Sequence, residues 1–375
     1  MVIVHILAYF KENVAYQENY LTRGEAELGH EVHIITSKWE YDFGVNSSAR
    51  EHPLGDSEYN GVLIHRTPII YDMKKRFVIF KHLYKDLKSL NPDLIFFHDH
   101  SPELLTCIRY VKRHPKTKLR VDIHSTIDNS MHSLFGKPYH KIFWRGIIHF
   151  AIKYYDKVFC ICPESREFAE KIYHIPHDRT EIMILPGDAS LLENYDSARK
   201  QIRQQMGLDD NDIAVFHTGK LPQEKRTFEL IEAYKEAKLP NTKLIIIGYI
   251  EEESRDRFDA AIKDDKSIIY MGWMTSDELK RHLIGADLLL QPNAFSNTYI
   301  EAMCCAVPLG LCDSEYTRIL LSEGNGFTIH EPTVECIRET IKKNINREKI
   351  DKYREKAKNS SHKYHYLEIA RQSVS

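Results

Sequence analysis

Residues 213–248 read IAVFHTGKLPQEKRTFELIEAYKEAKLPNTKLIIIG, and the reading of that stretch decides the fold class. Ile213 to His217 is an apolar run of strand length. Gly219 then turns the chain, and Thr227 to Ala237 places Phe228, Ile231 and Tyr234 on one face of a helix. Lys243 to Ile247 is a second apolar run, closing on Gly248. Strand, amphipathic helix and strand in short succession predict parallel α/β layers.

The same rhythm extends in both directions. Strands are expected at Ser267 to Tyr270, Asp287 to Leu290 and Leu309 to Leu311. Toward the N-terminus they are expected at Val2 to Ala8, Glu31 to Thr36, Leu94 to Phe97, Leu119 to Ile123 and Val158 to Ile161. A helix from Leu21 to Leu28 stops at Gly29, a usual residue just past a helix end. After Leu185-Pro-Gly-Asp188 the rhythm lapses through a polar stretch to Asn211. Residues 187–211 are therefore the expected linker between an N-terminal domain, 1–186, and a C-terminal domain, 212–350, with a last helix in 351–375. Two doubly wound halves facing a central cleft would bind ligand at the carboxyl ends of their strands.

Composition narrows the function. The chain has 375 residues, 42% hydrophobic and 28% charged, so disorder, collagen-like repeats and coiled coil are excluded. A net charge of -2 argues against nucleic acid as a partner. No uncharged run reaches the ~18 apolar residues of a membrane span, and MVIVHILAYF has no basic n-region or cleavage site. Seven scattered cysteines suit a reducing compartment, so a cytoplasmic protein is expected. The average conceals a local surplus: residues 73–157 carry seventeen Lys/Arg against seven Asp/Glu. There, MKKRFVIFKHLYKDLK (73–88) and KPYHKIFWRGIIHFAIKYYDK (137–157) interleave cations with aromatics. A helix of that mixture can lie on an anionic bilayer, with Lys74, Lys75, Arg76, Lys141, Trp144 and Arg145 as the acceptor or membrane face. Ordinary core-facing helices are the alternative.

Three local patterns carry chemistry. In QPNAFSNTYIEAMCCAVP (291–308) a strand ends, a polar loop follows and a helix begins near Thr298, its free N–H groups offering an anion site. Thr298 and Glu301 match a capping box, the reading the local pattern favours; the alternative is that Glu301 faces out and accepts hydrogen bonds from ligand hydroxyls. In HTGKLPQEKRT (217–227) Lys220 and Lys225 leave a strand end after Gly219 and could balance a diphosphate. His98-Asp99-His100 and His124 each follow a strand. A metal site there is conceivable, but His124 lining a sugar site fits better, and no metal is assigned. Asp42-Phe43-Gly44, Asp210-x-Asp212 and Cys160-x-Cys162 lack the context their chemistry requires. Neither a dinucleotide fingerprint nor a P-loop occurs.

Taken together, the order of features resembles the retaining GT-B glycosyltransferases of family 4. Gly29-His30-Glu31-Val32, Pro92-Asp93-Leu94-Ile95 through His98, and Val121-Asp122-Ile123-His124 resemble that family's N-terminal strands. Gly219-Lys220 through Lys225 resembles its diphosphate loop. Trp273 through Leu279, Ala286-Asp287-Leu288, Glu301-Ala302-Met303 with Pro308, and Gly324-x-Gly326-Phe327 resemble its C-terminal motifs. The resemblance implies two Rossmann-like domains and a final helix returning to the first. It implies a hexosyl- or N-acetylhexosaminyltransferase with a nucleoside diphosphate sugar as substrate, UDP ahead of GDP, and no required cofactor. The donor would meet Gly219, Lys220, Lys225, Asn293, Ser296, Asn297, Thr298 and Glu301, with Glu301 on the ribose and His124 on the sugar. The acceptor would be a glycan, lipid-linked in the membrane-facing version, in cell-surface polysaccharide or glycolipid synthesis at the inner face of the membrane.

The departures are specific. Asn293 stands where the family has a glutamate, Phe295-Ser296-Asn297 stands for its glycine loop, and Ala15-Tyr16 for its first glycine pair. An epimerase of nucleotide sugars and a sugar-binding protein without catalysis are the alternative readings.

Overall fold

The computed structural model describes residues 1–41, 49–73, 77–131, 136–293 and 296–375. It forms two compact units, Met1–Ile184 with Ile369–Ser375, and Leu185–Glu368.

In the first unit the strand Val2–Ile6 runs parallel to Glu31–Thr36 on one side and to Leu94–Phe97 on the other. Beyond Leu94–Phe97 lie Lys118–Ile123, Lys157–Cys160 and Thr180–Ile182, all parallel. Beyond Glu31–Thr36 lies Val62–Arg66, and Gly55–Tyr59 closes that edge antiparallel. LIFF and EVHIIT are apolar on both faces because helices cover both sides of such a sheet. The expected helix at Leu21 begins earlier, at Gln17, and Gly29 at φ +86° ends it in the left-handed region.

The second unit has a parallel sheet in the order Ile268–Gly272, Thr242–Tyr249, Ile213–Lys220, Leu288–Gln291, Leu309–Cys312, Gly326–Ile329 among the described residues. The helix Thr227–Ala237 has the expected bounds and buries Leu230, Ile231 and Tyr234 against that sheet. In each unit the strand order reverses at one place. In the first it lies between Val2–Ile6 and Leu94–Phe97, in the second between Ile213–Lys220 and Leu288–Gln291. Ligands of doubly wound sheets gather at the carboxyl ends there.

The polar stretch 187–211 is not a linker in the structure. It carries a short turn, Ser190–Asn194, and the helix Tyr195–Gln205, within the second unit. Its anchor is ionic: Arg199 and Arg203 reach the buried Asp287 carboxylate at 2.7 and 2.8 Å. Arg347 and Arg354 converge on the same carboxylate. Burial opposes ionisation of Asp287, yet the arginines hold it below the usual carboxylate range. Apolar periodicity cannot register a helix docked in this way. The C-terminal region also divides later than residue 351: Arg347–Ser360 stays in the second unit, and Ile369–Ser375 belongs to the first. There Ile369 and Ala370 pack with Leu21, Phe96, Phe159 and Met183, and Arg120 Nη2 donates to the Ser375 carbonyl at 2.9 Å.

The two basic aromatic segments differ from the expected pair of surface helices. In the first, Ile69–Met73 pairs antiparallel with Phe77–Phe80 and helix occupies only Leu83–Leu90, since FVIF favours strand. Lys74, Lys75 and Arg76 lie outside the described residues, as do Asp42-Phe43-Gly44 and Phe295. The second is helical, with a π-helical stretch at Tyr139–Trp144. Trp144 is 1% exposed and packs edge-on to His100 and Tyr139, so it is core and not part of a docking face. Arg145 is tied down as well, its Nε donating to the Ile172 carbonyl at 2.8 Å. Lys141, Ile142, Phe143 and Phe150 are exposed. Among the described residues no helix is long and apolar enough to cross a membrane.

Candidate functional site

Each reversal of strand order carries a cluster of polar side chains. In the second unit the strand Ile213–Lys220 delivers Gly219 at φ +115°, a conformation that favours glycine, and places Lys220, exposed, at its end. The neighbouring strand must also be bare, because a Cβ on Gly248 would lie 1.9 Å from the Gly219 carbonyl oxygen. The chain then makes a single turn, Gln223–Lys225, that folds Lys225 inward.

Lys225 is 6% exposed, and its Nζ lies 3.4 Å from Gln291 Oε1. Gln291 is held in that pose because its Nε2 donates to the Thr218 carbonyl at 2.9 Å. Among the described residues no carboxylate pairs with this ammonium. Burial lowers its pKa to about 8. An ammonium in this state gains most from an anion brought to it. His217, one strand turn away, is neutral: burial first, then the Lys225 charge, lower it to about 4. Its Nδ1 donates to the Leu290 carbonyl and its Nε2 accepts from the Thr227 hydroxyl, locking strand to helix.

Asn293, two residues after the end of Leu288–Gln291, faces the same turn. Asn293 Nδ2 donates to the Glu224 carbonyl at 3.0 Å, beside Lys225. Ser296 Oγ bonds Thr298 Oγ1 at 3.0 Å, and Asn297 is exposed. Thr298 is the first residue of the helix Thr298–Cys304, whose N-cap is Asn297 with no side-chain cap. The capping box of Thr298 and Glu301 therefore does not form, because Thr298 would have to stand outside the helix. Glu301 sits half-buried in the first turn. The structure thus brings Gly219, Lys225 and Asn293 together, with Lys220 at the rim and Thr298 and Glu301 on the next helix. Gln291 had no assigned role in the sequence, although an amide ending an LLL run is a visible signal.

In the first unit His124 follows the strand Lys118–Ile123 and lies with Nε2 3.4 Å from Asp122 Oδ2. The same oxygen takes His98 Nδ1 at 2.7 Å and Gln17 Nε2 at 3.2 Å, while Oδ1 accepts the Asp99 backbone N–H at 2.9 Å. Asp99 is left-handed at φ 58°, which turns that N–H back onto the carboxylate. Burial opposes the charge on His124, but Asp122 outweighs it and raises His124 to about 9. Asp122 itself is held well below the usual range despite its burial. His124 is thus a half-exposed cation able to donate to a hydroxyl. His98 and His124 both spend themselves on one carboxylate, and among the described residues no His, Cys, Asp and Glu group is placed to hold a metal. Behind His98 stand His5 and Glu25, both buried and neither assigned in the sequence, although a histidine inside VIVHI is conspicuous.

Two Rossmann-like units with these sites define a class, the GT-B fold, and known structures agree. A glycosyltransferase from Rickettsia africae matches at TM-score 0.69 and 15% identity, covering 100% of this chain and 96% of its own. Anabaena Alr3699/HepE in complex with UDP-glucose matches at TM-score 0.67 and 15% identity, covering 100% and 98%. WaaG, a glycosyltransferase involved in lipopolysaccharide biosynthesis, matches at 0.63 and 16%, covering 99% and 98%. None of the curated proteins compared with the chain matches it. The family models are more specific. "Glycosyltransferase Family 4" matches residues 19–183 and "Glycosyl transferases group 1" matches residues 198–363. The chain belongs to the family 4 glycosyltransferases.

Proposed function

We propose that the protein moves a hexosyl or N-acetylhexosaminyl group from a nucleoside diphosphate sugar, UDP ahead of GDP, to a glycan hydroxyl with retention of configuration. The observation that carries this reading is Lys225, a buried ammonium aimed by Gln291 at the strand-order reversal, with no carboxylate partner among the described residues. A diphosphate supplies the missing charge, and one that gains charge as the sugar departs is favoured further in the transition state. The UDP-glucose complex of the Anabaena protein supports the choice of donor.

Lys225 and Lys220 take the diphosphate, and Gly219 lets the backbone approach it. Glu301 accepts from the ribose hydroxyls; Asn293, Ser296 and Asn297 line the sugar, and cationic His124 donates to a sugar hydroxyl. The bond from the anomeric carbon to phosphate oxygen breaks, the acceptor oxygen bonds that carbon, and its proton passes to the departing phosphate oxygen. Asn293 offers hydrogen bonds without a nucleophilic carboxylate, which supports retention by attack from the leaving-group side. In this reading no metal or organic cofactor is required.

A lipid-linked acceptor at the inner membrane face is the matching partner. Its support is the exposed trio Ile142, Phe143 and Phe150, with Lys141 near them in sequence and Lys153 stacked over the Phe150 ring. Single-turnover transfer by Lys225→Ala and Glu301→Ala tests the site, and wild-type rates in both would sink it. Incubating donor alone settles the reaction type: a new sugar nucleotide means epimerisation, whereas nucleotide release that needs an acceptor means transfer.

A further inference from the structure

A continuous file of hydrogen-bonded side chains runs through the first unit behind His124. Glu25, on the helix Gln17–Glu27, accepts the Ser373 hydroxyl at Oε1 (2.6 Å) and meets His5 Nε2 at Oε2 (2.6 Å). His5 Nδ1 lies 2.9 Å from His98 Nε2, and His98 Nδ1 lies 2.7 Å from Asp122 Oδ2, which His124 also approaches. Ser373, Glu25, His5 and Asp122 are all buried, and His124 is the exposed end.

The hydrogens of this file can be counted. With both carboxylates ionised and accepting, His5 Nε2 and His98 Nδ1 both carry hydrogen. The two facing nitrogens, His5 Nδ1 and His98 Nε2, hold one hydrogen between them: two would collide, and none would set lone pair against lone pair. Two imidazoles with three hydrogens carry one positive charge, flanked by two buried carboxylates. When the shared hydrogen belongs to His98, the cation lies beside Asp122 and compensates it. When it belongs to His5, the cation lies beside Glu25, and Asp122 turns its full charge on His124.

We propose that Glu25, His5 and His98 are positioning residues that set the charge and aim of His124 through one shared proton, with Ser373 fixing the Glu25 end. The role given to His124 rests on the transfer reading; the shared proton does not. The other charged groups facing the cluster are Glu18 on the helix Gln17–Glu27, and Asp99 and His100 in the turn after Leu94–Phe97. They do not bridge the imidazoles and stay constant in the comparison below.

The test is nuclear magnetic resonance of the whole 375-residue chain labelled with ¹⁵N-histidine, alongside kinetics. The wild type is expected to show N···N coupling between His5 and His98. Glu25→Gln removes the far carboxylate, so the pair releases its proton and Asp122 faces His124 alone. The His124 titration midpoint should then rise by roughly one unit, with kcat lowered and donor KM within about twofold. Removing a distant negative charge with no relay would lower that midpoint instead. Ser373→Ala deprives the Glu25 carboxylate of one hydrogen bond, which leaves it to His5 alone, draws the cation to that end and should raise the midpoint by a smaller amount; it also serves if Glu25→Gln does not fold. A midpoint that falls or stays put in natively melting variants, or an absent N···N coupling, overturns the proposal. If the midpoint rises in a protein that transfers no sugar, the relay stands and the transfer reading falls.

Discussion

Lys225 Nζ, from the turn after Ile213–Lys220, faces Gln291 Oε1 at 3.4 Å at the place where the second sheet reverses its order. A buried ammonium satisfied by an amide oxygen has a hydrogen-bond partner but, among the described residues, no carboxylate beside it. The fold bears that cost at the place where a doubly wound sheet receives its ligand.

The sign of that cost is measurable. The folded-state pKa of Lys225 is depressed to about 8, so between there and the ordinary 10.5 the unfolded chain binds the extra proton. Unfolding free energy should therefore rise through this window, by about 3 kcal/mol from this group. Lys225→Met should flatten the rise in denaturant titrations at pH 7 to 10, while transfer falls by about 10²-fold.

The same group predicts proton uptake on binding. Above pH 8 the free protein holds Lys225 partly neutral, and UDP requires the cation. Calorimetry at pH 8.5 in buffers of different ionisation enthalpy should show protons taken up by the wild type and none by Lys225→Met.

Gly248→Ala should fail for a reason of geometry. Its Cβ would lie 1.9 Å from the Gly219 carbonyl oxygen, so the strand end carrying Lys220 must move. Melting temperature should drop and donor KM should rise with it, and an unchanged donor KM would detach this strand end from nucleotide binding.

Asp122 and His124 have opposite pH signatures. The raised His124 pKa contributes stability that is complete below about 6.5 and lost as pH climbs through about 9. The depressed Asp122 pKa contributes stability that is lost as acid protonates it. Asp122→Asn should cost about 3 kcal/mol near neutral pH, as a buried pair broken from one side, measured by urea unfolding.

Two neighbouring aromatics should part company. Phe143→Ala should leave the melt unchanged and weaken association with anionic vesicles, because Phe143 is 50% exposed. Trp144→Ala should cost about 3–5 kcal/mol through the cavity it opens.

Runs that are apolar on both faces revealed the strands in the sequence, and Phe228, Ile231 and Tyr234 set the helix after the lysine loop in its observed place. The helix Tyr195–Gln205 was hidden because Arg199 and Arg203, not leucines, hold it, and their carboxylate lies more than eighty residues away at Asp287. The antiparallel pair of Ile69–Met73 and Phe77–Phe80 was hidden by cations that suggested a surface helix. Within the candidate site, lysines spaced after a glycine were legible. The burial of Lys225 and the pose of Gln291 were not, since both depend on a contact across strands. The file from Ser373 to His124 was further still from view, because it joins residues from both ends of the sequence.

Because Ile369–Ser375 supplies apolar cover for Phe96 and Phe159 and partners for Arg120, the first unit is discontinuous in the chain. On the ribosome its sheet can form early but cannot be sealed until residues 369–375 have been made. The nascent first half keeps that apolar face uncovered while the second unit is synthesised, and such exposed surface is where a folding chain is open to misassembly.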